Sequence, residues 1–230
     1  MTFHEQLARA TAPDREFLLS APVIQRALAG DVTRELYVAF LTQAYHHVRH
    51  TVPLLMATGA RVPDRQAWLR DAILHYLEEE TGHDEWILND IARAGGDRVA
   101  AAASAPGVAT EAMVAYAYDT VMRGNPLGFF GMVHVLEGTS VALALHAADR
   151  IQQALDLPVT AFTYLRSHGE LDQEHINDLG AILERFTDEE DRQAVIRCAR
   201  GIYWLYGSVF RSLDAIAAGI VPRAPQRRTA

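Results

Sequence analysis

The stretch His168-Gly169-Glu170-Leu171-Asp172-Gln173-Glu174-His175 reads H-x3-D-x2-H. On an α-helix, positions i, i+4 and i+7 share one face, so two imidazoles and a carboxylate point the same way within two turns. Nitrogen and oxygen donors in that arrangement form half of a site for a redox metal such as iron. The bland alternative is a solvated acidic face with incidental histidines. Two other segments favour the metal. Glu78-Glu79-Glu80-Thr81-Gly82-His83 sets Glu80 and His83 at i and i+3, with Glu79 a rival at i and i+4. Glu137 interrupts the apolar run over 128–145, GFFGMVHVLEGTSVALAL. A carboxylate there is costly to bury without a compensating charge, either a metal ion or an arginine. His134, in the same run, reads as a group hydrogen-bonded behind a ligand or as simply packed. Glu80, His83, Glu137, His168, Asp172 and His175 together supply three carboxylates and three histidines. Such a set suits two irons in a helix-bundle core, although the E-x-x-H pairs of known di-metal bundles are arranged differently.

These donors need helices to carry them. The periodicity predicts helices at roughly 14–28, 32–59, 65–94, 108–123, 128–155, 158–186 and 189–219. Gly95-Gly96 ends the third segment, Gly124-Asn125-Pro126 separates the fourth from the fifth, and Leu157-Pro158 marks the next junction. The Ala-, Ser-, Pro- and Gly-rich stretch over 99–108 reads as a loop. No alternating strand pattern, internal repeat or linker interrupts the series. The expectation is an all-α, single-domain, seven-helix bundle over 1–221, with a flexible tail over 222–230.

Composition narrows the function. The 230 residues are half hydrophobic, enough for a sizeable core, and carry a net charge of −8. That charge argues against nucleic acid as the main partner. All 21 basic residues are arginine, from which no function follows. One cysteine, Cys198, excludes an internal disulfide framework. The N-terminal segment lacks a signal-peptide pattern, and no run approaches 18 apolar residues, so a cytoplasmic protein with no membrane span is expected.

The order E-x2-H, then a lone Glu after a gap of 54, then H-x3-D-x2-H resembles the haem-oxygenase-like di-iron oxidases. Their fold is shared with thiaminase II and pyrroloquinoline-quinone synthase. The resemblance covers nearly the whole chain. It implies two iron ions held by the six residues named above, dioxygen as co-substrate, and oxidation of a small carboxylate, either a medium-chain fatty acid or an amino acid. Desaturation, decarboxylation, carbon–carbon or carbon–nitrogen cleavage and N-oxygenation all occur in that family. An external electron donor and a homodimer are further expectations.

Other residues are candidates for holding the substrate. In the resembling fold the second helix borders the pocket, which makes Arg49 and His50 candidates for a substrate carboxylate; a surface stripe is the alternative. Arg211 on the last helix is a third candidate cation. Phe129, Phe130 and Met132 are candidates for the wall of an aliphatic slot, or ordinary packing. Competing readings are a metal-free thiaminase-like hydrolase, which needs a cysteine nucleophile, a cofactorless oxidase, and a non-catalytic binding protein. Cys198 lies on the last helix, away from the place such a nucleophile would occupy.

Overall fold

The seven helical segments are all present, and proline or glycine divides three of them. The computed structural model describes residues 1–220. Residues 221–230, and the side chains at 170–175 and 177, lie outside the description. The expected tail over 222–230 and the side chains of Asp172 and His175 therefore fall outside it. In chain order the helices are α1 (Phe3–Ala10), α2 (Ala12–Leu19), α3 (Pro22–Ala29), α4 (Arg34–Val48), α5 (Thr51–Arg61), α6 (Leu69–Glu80), α7 (His83–Arg93), α8 (Arg98–Ala103), α9 (Val108–Arg123), α10 (Phe129–Leu155), α11 (Thr163–Glu184) and α12 (Glu189–Ala217). No strand occurs among the described residues.

Each division has a local cause. Pro22 opens α3, where its missing N–H costs nothing. Pro53 sits in the first turn of α5 for the same reason, so the segment read as 32–59 breaks at Arg49-His50. Gly82 takes φ +93° and ends the segment read as 65–94 between α6 and α7. The stretch read as a loop over 99–108 contains α8, whose first amides are capped by the Asp97 carboxylate. α1 also lies outside the expected set. Thr2 and Glu5 form its capping box.

α10 is the centre of the molecule and packs chiefly on α11 and α12. Gly131 permits the α10–α12 approach, because a Cβ there would stand 2.3 Å from the Val195 carbonyl oxygen. Gly169 does the same between α10 and α11, where a Cβ would stand 2.6 Å from Leu145 Cγ. The stretch Pro126–Leu155 is long and apolar enough to cross a membrane by length and composition, contrary to the expectation that no run comes close. Two thirds of its most apolar window is buried within the fold, as in a bundle's core helix. Two apolar clusters flank the interior. One joins α1–α3, Leu36 of α4, α5, α6, α9, α10, the end of α11 and α12, and the other joins the rest of α4, α7, α8, α10 and the start of α11. A cavity of about 160 Å³ lies between them, lined by residues of both.

Candidate metal centre and its cavity

Glu80 is the last residue of α6 and His83 the first of α7. Their pairing is therefore made across the Gly82 turn and not along one continuous helix. His83 Nδ1 lies 3.1 Å from Glu80 Oε2, and both side chains are buried. Glu79 turns to His75 instead, at 3.3 Å. His168 arrives from α11, its ring 4.8 Å from that of His83 and edge-on to it. One ligand atom from each of Glu80, His83 and His168 lies within 4.8 Å of the others. The donor set is one carboxylate and two imidazoles, drawn from three helices and suited to a divalent transition metal. Glu137 is 7% exposed and, with Glu80 and His168, lines the cavity.

The elements that hold these residues are themselves fixed by a buried acid that sequence reasoning missed. Asp90 lies two turns beyond His83 on the same face of α7 and is fully buried. Its Oδ2 accepts the backbone N–H of Tyr164 at 2.8 Å. α11 has no side-chain cap of its own at Phe162, so Asp90 supplies one from a neighbouring helix. Tyr164 lies one turn before His168, and their rings are 4.7 Å apart. The contact between Asp90 and the first turn of α11 thus sets the distance over which His83 and His168 meet. Burial raises the Asp90 pKa, opposed by the Tyr164 amide and by Thr163. The signal was an acid at i+7 from a ligand on an apolar stripe with Ile87 and Ile91.

The cavity wall is mainly apolar. Along α10 it follows one helical stripe from Phe129 through Met132, Val133, Leu136 and Leu143 to Ile151. That stripe spans roughly 33 Å of helix at about 1.5 Å per residue. Val23, Ile24, Ala27 and Leu28 of α3 add further apolar surface. The polar groups lie near one another. The Tyr76 hydroxyl pKa is raised by burial and by the charges of Glu137, Asp178, Glu80 and Glu79. His47 on α4 is 2% exposed, and its pKa is lowered to about 3 by burial and by His168, His50 and His46. His47 was not singled out in the sequence. The clue was its place on the stripe through Leu36, Phe40 and Gln43, which faces inward.

Of the six candidate substrate contacts, Phe129 and Met132 line the cavity, whereas Arg49, His50, Phe130 and Arg211 do not. Arg49 is exposed and lies over the Tyr45 ring at 5.3 Å. His50 is 3.1 Å from the Tyr118 hydroxyl. Arg211 donates to the carbonyls of Phe17 and Gly207 and covers the Phe17 ring, tying α12 to α2. Phe130 is fully buried against Phe186, one residue off the α10 stripe that carries Phe129 and Met132. No arginine occurs among the described residues of the cavity wall. His134 lies outside the cavity, edge-on to His4 and to Tyr203, so it is packed among rings and bound to no ligand side chain described.

The chain belongs to the family of iron-containing redox enzymes related to haem oxygenase, whose family model matches residues 38–207. No curated protein matches it. Among solved structures it is similar to a domain of unknown function with a haem-oxygenase-like fold from Shewanella denitrificans, at 24% identity and a TM-score of 0.85, covering 95% of this chain and 94% of that one. A TenA homologue from P. horikoshii aligns at 11% identity and a TM-score of 0.76, covering 93% and 98%. Haem oxygenase-1 from the cyanobacterium Synechocystis, in complex with haem, aligns at 13% and 0.72, covering 95% of each chain. These likenesses establish the haem-oxygenase-like all-α fold.

Proposed function

We propose that this protein is an iron-dependent, dioxygen-using oxidase of a small apolar carboxylate. The observation that carries the reading is the convergence of Glu80, His83 and His168 within 4.8 Å beside a cavity that Glu137 also lines. Glu80, His83, Glu137 and His168 are the described residues that would hold iron, and the resemblance adds Asp172 and His175. Iron held there would supply redox chemistry toward dioxygen.

The chain's own residues do the rest. Asp90 and the Gly82 turn fix the spacing of the donors before metal arrives. The walls from α3 and α10 exclude water and hold an aliphatic chain by burial. The long apolar stripe of α10 and α3 would bury an aliphatic chain, so the fatty-acid class fits better. Tyr76 keeps its proton at ordinary pH and stays a hydrogen-bonding group beside the carboxylates. A cysteine-dependent hydrolase finds no nucleophile here. Cys198 is 1% exposed, lies off the cavity wall, and burial pushes its thiol up to about 12.

The test is anaerobic titration with ferrous iron, followed by oxygen-consumption measurements with medium-chain fatty acids and with amino acids. Uptake should saturate near roughly two equivalents. Iron-dependent oxygen consumption should follow addition of a fatty acid. A folded protein that takes up no iron would end the reading.

A further inference from the structure

The cavity holds a buried polar atom that none of the described residues satisfies. His47 lines the wall, and its Nδ1 has no hydrogen-bond partner among the described residues. A neutral imidazole carries one N–H and one lone pair, so an unmade bond at a buried ring nitrogen is a real cost. Ser140, one turn beyond Glu137 on α10, lines the same cavity with its Oγ buried and likewise without a partner. Arginine is the usual way to hold a carboxylate, and none is available on the described wall.

We propose that His47, assisted by Ser140, is the hydrogen-bonding contact for the carboxylate of an apolar chain acid held in this cavity. This rests on the substrate class proposed above. His47 donates a ring N–H to one carboxylate oxygen, and the Ser140 hydroxyl serves the same group. The Tyr206 ring stands edge-on to the imidazole, 5.7 Å between centroids, and limits its rotation. The apolar chain extends along the α10 and α3 walls. Anchoring at a fixed donor selects which carbon of the chain lies beside the Glu80–His83–His168 cluster. His47 is thus a positioning and specificity residue.

The test uses the full chain loaded anaerobically with ferrous iron, with decanoate as the probe and hexane as an apolar control. His47→Phe should weaken decanoate binding by roughly ten-fold or more while hexane binding and iron uptake stay as in the wild type. His47→Gln, which restores an N–H donor, should recover most of the loss. Ser140→Ala should give a smaller loss of the same kind. A measurement without any variant complements these. In the zinc-loaded wild type with ¹⁵N-labelled histidine, decanoate should shift the His47 ring nitrogens. Equal decanoate affinity in wild type and His47→Phe overturns the proposal, as does a wild type that admits hexane but not decanoate. If iron uptake fails while decanoate binding still depends on His47, the oxidase reading falls and the carboxylate subsite stands.

Discussion

Two sets of interior histidines, buried His83 with half-buried His168 and buried His134 on α10, differ in what surrounds them. His83 and His168 meet beside Glu80, with Glu137 lining the same cavity. His134 is also buried, but its neighbours are the rings of His4 and Tyr203, and it lies off the cavity. Burial lowers the His134 pKa to about 4, helped by His4 and Arg15. The second is kept neutral by burial and packed among rings. The first collects acids in a low-dielectric interior, where carboxylates call for a cation. Burial of histidine alone therefore does not mark a site. Burial with carboxylates, at the edge of a cavity, does.

The sharpest way to break this contrast is to remove a ring from each side. His168→Ala should lower ferrous-iron affinity and iron-dependent oxygen consumption by more than roughly 100-fold, since even groups behind a ligand cost about 10–100-fold. His134→Phe should leave both unchanged. Equal loss from the two substitutions would abolish the distinction. Glu137→Gln, which keeps shape and removes charge, should cut iron uptake with the fold intact, as circular dichroism and iron titration would show together. A strongly lowered melting temperature with normal iron uptake would instead make Glu137 a structural ion-pair residue.

The next effect concerns how the metal side is held. Asp90→Ala leaves the Tyr164 amide unpaired inside the protein, a loss of about 2 kcal/mol by analogy with caps and buried donors. Denaturant unfolding should show it, and hydrogen exchange should quicken at the first turn of α11. Asp90→Asn keeps an acceptor and should restore most of the protection. If exchange at Tyr164 does not change in Asp90→Ala, the cap is not what fixes α11.

The last effect belongs to the other side, is absent at neutral pH and emerges only in acid. The folded His134 pKa is depressed from 6.5 to about 4, so between those values the unfolded chain binds a proton that the folded chain refuses. Stability then falls as pH falls from 6.5 towards 4 and is unaffected by this residue above 6.5. The contribution reaches about 1.4 kcal/mol per pH unit. Unfolding curves across that range should be flatter for His134→Phe than for the wild type.

The sequence by itself determined the helical segments, because their apolar periodicity is local and repeats over many turns. It singled out Glu80, His83, Glu137 and His168, because acids and histidines inside apolar helices are rare enough to stand out. It misjudged where helices break. The pairing of Glu80 with His83 was read as one turn of helix and is made across Gly82 at φ +93°. The Thr2–Glu5 capping box of α1 was readable and went unread. Only the tertiary structure decided which side chains share the cavity. Arg49, His50, Phe130 and Arg211 have the right chemistry, yet a shift of one residue on a helix turns a side chain by about 100°. His47 and Asp90 carried only faint sequence signals, because their roles depend on partners far along the chain, with Asp90 capping a helix 74 residues away. Spacing along a helix fixes which residues share a face; which face meets a cavity is settled by packing against distant helices.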